Sequence, residues 1–320
     1  MAKHRPGTGR GMGLGRFVKK RWTVFQKNKE LFALSLPAIT YVIVFAYIPL
    51  FGLVLAFKNF RFDLGIFGSK WVGFDNFKFF FVSDQAFLVT RNTLMYGAAY
   101  LLGTLAFALV FAIMLNEVAQ RAAKAYQTAM LLPFFLSWIL VSYVTDAFLN
   151  HHEGYLNEML KLLAVEPVDW YLEPAVWPFI LYTVYLWKTI GFHALIFYTG
   201  IMGIESKYRE AARIDGASRW QMASRITFPL LMPLAAVLLI IGVGGLFRGN
   251  FGLHYFIPND SPFLYSTTDV IDTYAYHALR KLGEIGMATA VGLYQSVGGL
   301  FFVLLANYTV RKFSADHSLW

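Results

Sequence analysis

The 320-residue chain is 57% hydrophobic and 18% aromatic but only 15% charged, where soluble domains carry about 25% charge. Together with a mean hydropathy of +0.50, this excludes an ordinary soluble domain and places the chain in the membrane class. The net charge of +9 gathers at the edges of apolar runs, so it belongs to lipid topology and does not argue for nucleic-acid binding. The absence of cysteine excludes disulfides, thiolate metal sites and cysteine nucleophiles.

In chain order, six apolar runs are long enough to cross a hydrocarbon core that needs about 20 helical residues: 31–57, 92–118, 126–149, 174–204, 226–247 and 285–310. The fold class is therefore an all-helical, six-span membrane protein: a basic tail over 1–30, a six-span domain over 31–311 and a short tail over 312–320. The N-terminal tail carries nine Lys and Arg against Glu30 alone, which predicts a cytoplasmic start. The first apolar run is about twice a signal-peptide core in length and lacks a small-x-small cleavage site, so it is expected to remain as a span.

Alternate loops test this topology. The second carries Arg121 and Lys124, and the fourth carries Lys207, Arg209, Arg213, Arg219 and Arg225. The third has Lys161 against Glu153, Glu158, Glu166, Asp169 and Glu173, and the fifth has three basic residues against four acids. Even loops and both termini therefore read as cytoplasmic. The first loop runs against the rule, because Lys58, Arg61, Lys70, Lys78 and Arg91 outnumber Asp63, Asp75 and Asp84. The more basic tail decides the orientation.

The fourth loop, residues 205–229, has a readable shape. Ser206 is placed to cap a short helix that runs to Ile214, and Gly216 suits the left-handed residue that closes it. Ser218 and Gln221 fit a capping box that starts a second helix feeding span 5. Ala211, Ala212 and Ala217 keep the turn slim enough for another backbone to approach. The sequence thus predicts a helix-turn-helix knob projecting from the membrane.

The spacing of Glu210, Ala211, Ala212, Gly216, Ile226, Phe228 and Pro229 resembles the signature loop of binding-protein-dependent ABC importer permeases, with Phe228 where that family has Leu. The resemblance implies a type I permease fold and a coupling loop at 205–225 seated in a cytoplasmic ATPase. Glu210, Ala211, Ala212, Asp215, Gly216 and Ala217 would form its contact set. Further strings, including Pro49-Leu50-Phe51-Gly52-Leu53, Pro133-Phe134-Phe135-Leu136-Ser137-Trp138, Asp269-Val270-Ile271-Asp272-Thr273-Tyr274 and Gln295-Ser296, are similar to carbohydrate-uptake permeases. Among these they resemble the maltose permeases and, more closely, the branch importing oligo- and polysaccharides such as alginate and pectin fragments. The implied partners are a second related permease, two ATP-binding subunits, an extracytoplasmic solute-binding protein and the lipid of a bacterial inner membrane. ATP and Mg would sit in the ATPase, leaving this chain without a cofactor. No phosphate-cradling Gly-x-x-x-x-Gly-Lys-Ser/Thr motif occurs in it.

Within the spans, Lys188 must face the bundle or a water-filled path, since lysine at the middle of a span costs about 2.5–3.5 kcal/mol. It reads as a contact to an anionic sugar, an interspan hydrogen bond or a packing residue. Tyr185, Trp187 and Lys188 are the candidate substrate path. Arg248 lies near it, and these positive charges lean toward an acidic cargo. His193 reads as structural. Pro229 and Pro233 predict a bend or unwinding at the start of span 5. Gly242, Gly244, Gly245 and Gly249 permit close helix approach or an unwound cavity lining, and close packing suffices to explain them. His151, His152 and Glu153 read as a hydrated loop with no metal. Two rivals stand beside the importer. A polytopic enzyme acting on lipid-linked sugars would rest on Asp146, His151 and Glu153, and an ion-driven transporter would need a mirrored counterpart to Lys188.

Overall fold

A computed structural model describes residues 27–313, so most of the tails expected at 1–30 and 312–320 lie outside the described residues. Five helices are long and apolar enough to span a membrane: Lys29–Phe57, Asp84–Glu117, Pro174–Met202, Arg219–Val243 and Ile285–Tyr308. A bent pair, Arg121–Phe135 and Trp138–Leu149, supplies the sixth. The span count matches the hydropathy reading, while several boundaries differ.

Span 1 forms a unit of its own up to Val54. Its α-helix Lys29–Val42 widens into a π turn at Ile43–Tyr47 and narrows into a 3₁₀ stretch at Ile48–Phe57. No residue from Lys29 to Tyr47 is buried, which suits an apolar surface bathed in lipid.

Span 2 begins at Asp84, eight residues before the predicted position 92, because the helix continues past the apolar run with an acid in its first turn. It packs most extensively on span 4. Small residues permit that approach: Ala108, Ala112 and Ala194 are fully buried, and a Cβ on Gly103 would overlap the Tyr182 hydroxyl. Thr104 and Thr189 hydroxyls meet at 3.4 Å between the two helices. Such small-residue contacts are the usual means of association where lipid gives no hydrophobic drive.

Span 3 was expected unbroken over 126–149, and the structure corrects this. The helix Gln120–Phe135 ends, Leu136 and Ser137 are extended, and a second helix starts at Trp138, bent from the first by 101°. Span 5 ends at Val243 rather than 247, where a run of turns carries the chain through Gly244, Gly245 and Leu246 to Arg248. At its start, the disturbance expected from the prolines takes the form of a π turn, Ala223–Thr227. The Arg225 carbonyl in that turn faces Pro229, which has no N–H to offer.

The first loop pairs Lys58–Asn59 antiparallel with Lys70–Trp71. Its surplus of basic residues is largely engaged: Lys58 donates to the carbonyls of Ile66 and Phe67, Arg61 pairs with Asp63, and Lys78 with Asp75. In the third loop, buried Asn157 acts as a hub. Its Nδ2 donates to the carbonyls of His151 and Val168, and its Oδ1 accepts from Val168 N–H and Trp170 Nε1. The fifth loop folds over helices Phe251–Phe256 and Ile271–Arg280. Asp260 ties them together by accepting from His277, Tyr265 and Lys281, each at 2.7 Å.

Candidate functional site

Two places are candidates for a functional site. The first is the fourth-loop knob. Its helix runs from Ser206 to Ile214. Ser206 is the first helical residue and not the cap: Glu205 holds that position and gives no side-chain bond. The far end closes as expected. Gly216 adopts φ +76°, its N–H donates to Arg213 O at 3.1 Å, and Ala217 N–H reaches back to Ala212 O at 2.9 Å. These two bonds make a Schellman closure.

Ser218 then accepts from Gln221 N–H at 3.3 Å, while Gln221 Oε1 accepts from Ser218 N–H at 2.7 Å, completing the capping box. Both turns are thus satisfied by neighbours in sequence. Arg209 reaches Asn116 Oδ1 at 3.3 Å and Arg219 lies 3.8 Å from Glu117, so the knob is braced against the end of span 2. Glu210, Ala211, Asp215 and Gly216 are exposed, Ala217 is half-buried, and Ala212 is turned inward. Sequence reasoning passed over the two most prominent groups here. Ile214 is 87% exposed and Trp220 79%, and an unshielded Ile and Trp on so polar a loop were the available signal.

The second place is a cavity of about 470 Å³ bounded by spans 2, 4 and 5 and the helix Phe251–Phe256, within the range of ligand pockets. Tyr96 and Tyr100, one turn apart on span 2, face it together with Tyr185 of span 4. Tyr100 stacks on Tyr185 with ring centres 4.1 Å apart and on Tyr96 at 5.5 Å. His254 is buried behind them. Its Nδ1 donates to Thr268 O at 2.7 Å, which leaves Nε2 to accept from the Tyr100 hydroxyl at 3.2 Å. Burial pushes this imidazole down to about 4, against the Thr268 bond that favours protonation, so it is neutral and fixes how Tyr100 points.

The glycine run does both things the sequence allowed. A Cβ on Gly242 would overlap Leu101, and the unwound residues Gly245, Leu246, Arg248, Gly249 and Asn250 line the cavity. His193 lines it too, with Nδ1 3.1 Å from Thr189 O.

The structure does not bring the three path candidates together. Tyr185 lines the cavity, Trp187 is 45% exposed and outside the lining, and Lys188 is buried at the break in span 3. There its Nζ donates to Phe134 O at 2.8 Å and Pro133 O at 3.2 Å and lies 5.2 Å from the centre of the Trp138 ring. Lys188 thus makes the interspan hydrogen bonds that were one of its readings. Tyr96, Tyr100 and His254 were missed. The i,i+4 tyrosine pair was visible in sequence, but its histidine partner lies 154 positions away.

Residues 104–315, more than half the chain, match the family described as the binding-protein-dependent transport system inner membrane component. The polygalacturonan/rhamnogalacturonan transport system permease protein YteP of Bacillus subtilis (strain 168) is 31% identical over 291 residues, covering 91% of this chain and 90% of that protein. A bacterial ABC transporter involved in the import of the acidic polysaccharide alginate superposes with a TM-score of 0.84 at 33% identity, covering 92% of this chain and 99% of its counterpart. The alginate transporter in complex with an alginate pentasaccharide-bound periplasmic protein gives 0.82 at 33% identity, with coverages of 92% and 98%.

Proposed function

Because the chain belongs to the binding-protein-dependent inner membrane transport components and is the permease of a sugar ABC importer, we propose that residues 205–225 are its coupling element. In this reading the knob seats in a groove of a cytoplasmic ATPase, with Glu210 and Asp215 making polar contacts at its rim. Two such ATPases bind ATP and Mg, and a second related permease completes the path. A periplasmic binding protein delivers an oligo- or polysaccharide bearing carboxylates, such as alginate, to the outer loops. The knob and both termini lie on the cytoplasmic side, in line with the basic even loops. The chain itself performs no chemistry: closure of the ATPases moves the knob as a rigid lever that switches the spans between inward- and outward-facing states.

The observation that carries this reading is the exposure of Ile214 and Trp220 on a knob that needs no outside help to hold its shape. A self-capped element presenting an aliphatic and an indole side chain has the character of an interface anchor, where one residue is worth about 2 kcal/mol or more, roughly 30-fold in affinity. Ile214→Asp and Trp220→Asp are therefore expected to strip the ATPase from the permease on copurification while leaving the thermal stability of the permease alone unchanged. Full retention of ATPase by both variants would sink the assignment.

A further inference from the structure

The cavity between spans 2, 4 and 5 holds one permanently charged side chain, Arg248. Its surroundings leave the charge available. The guanidinium makes no hydrogen bond and no ion pair among the described residues, and the residue is exposed. Burial raises the pKa of the nearby Asp272 carboxylate and the Arg248 charge pulls it down, but no ion pair joins the two, and Asp272 Oδ2 accepts from Gly249 N–H at 2.6 Å and from Gln295 Nε2 at 2.7 Å.

The same bonds fix the root of Arg248. A Cβ on Gly249 would lie 2.7 Å from both Asp272 Oδ2 and Val270 Cγ2, so the backbone immediately after Arg248 is pressed against the helix Ile271–Arg280. Arg248 N–H donates to Gly245 O at 2.9 Å on the other side. A planar five-donor group is thus held at the wall of a cavity lined also by tyrosine and threonine side chains, by Asn250 and by aliphatic groups such as Leu101, Leu105, Leu238 and Ile241. A guanidinium suits a carboxylate, which it binds in a two-point fork.

We propose that Arg248 is the residue of this permease that recognises the carboxylate of an acidic sugar unit in transit, with Asp272 and Gln295 acting as positioning residues. The proposal rests on the saccharide-importer reading and deepens it. His254, neutral and bonded to Tyr100, adds no competing charge. The rival occupant of an exposed arginine is a lipid phosphate, which would favour no particular sugar.

The test uses the full complex of both permeases, ATPases and binding protein in liposomes. ATPase stimulation is read with an oligouronate and with its carboxyl-reduced neutral analogue of equal length. The binding protein is the same throughout, so any change in the acidic-to-neutral ratio on mutation belongs to the permease. Wild type should prefer the oligouronate. Arg248→Gln should lower its effect roughly 10- to 100-fold, the worth of a charge-assisted pair, and leave the neutral response in place, while Arg248→Lys should lie between. An unchanged ratio in Arg248→Gln, or an equal fall for both sugars, overturns the assignment. A wild-type complex stimulated by the neutral analogue alone overturns it too. A wild-type complex stimulated by neither sugar overturns the saccharide reading itself and this proposal with it.

Discussion

Two sharp breaks in the helices, at the knob and in span 3, are closed by different means. At the knob, Gly216 turns the chain and every bond that closes the turn comes from within six residues: Ala217 to Ala212, Gly216 to Arg213, and Ser218 with Gln221. At the break in span 3, Ser137 caps the second helix by accepting from Leu140 N–H at 3.2 Å, much as Ser218 does. The first helix, however, ends on the carbonyls of Pro133 and Phe134: Pro133 O accepts from Leu136 N–H at 3.2 Å within the same span, and both carbonyls accept from Lys188 of span 4. The first turn lies in the polar connection between spans, where unmatched groups can fall back on water. The second lies within a span, where each unmatched carbonyl must find a protein donor. A turn outside the bilayer can be written locally, whereas one inside it needs a neighbour.

Reversing charge at the two places should separate them most widely. Lys188→Glu sets a carboxylate against two carbonyl oxygens and is expected to cost about 3–5 kcal/mol, the penalty of an uncompensated buried charge. Arg213→Glu on the exposed knob should stay within about 0.5 kcal/mol. Thermal unfolding in nanodiscs reads both, and equal effects would erase the distinction.

Glycines give the next contrast. Gly216 is needed for its backbone, since a Cβ there would meet nothing within 4 Å; Gly216→Ala should cost about 1–2 kcal/mol from the left-handed conformation alone. Gly191 is needed for space, because its Cβ would overlap the Met130 carbonyl. Gly191→Ala should match or exceed that cost by forcing spans 3 and 4 apart, and only this variant should alter a spin-label distance between those spans.

The serine caps make the finest comparison. Ser218→Ala is expected to lose about 1 kcal/mol. Ser137→Ala should lose more, because within a span lipid offers Leu140 N–H no replacement acceptor. Hydrogen exchange at Gln221 and Leu140 reports each cap separately, and a faster rise at Gln221 would reverse the expected order.

The same contrast explains what was legible in the sequence. The spans announce themselves by composition, and the Gly216 turn and Ser218 capping box are short-range features with fixed residue types. Residues 126–149 read as one span because Pro133 and Ser137 are tolerated in an unbroken helix, and nothing adjacent tells of Lys188. Lys188 was expected to face the bundle or a water-filled path; it faces the bundle, and its acceptors lie 54 and 55 positions earlier. Ser206 was expected at the cap, but the helix starts one residue sooner and leaves that role to Glu205. The cavity followed the same rule: Arg248 stood out as a charge, while the Tyr100–His254 pair and the Asp272 clamp arise only once spans 2, 5 and 6 are together.

Lys188 also has a consequence for how the chain is made. The bent third span leaves the ribosome first, carrying a Phe134 carbonyl whose side-chain donor, Lys188, has not yet been synthesised. The fourth span follows with a lysine that is costly to place in lipid by itself. Each span is a poor passenger singly, and together they cancel each other's polar groups. The two are suited to wait at the insertion machinery and enter the bilayer as a pair, so that the order of translation becomes part of the fold.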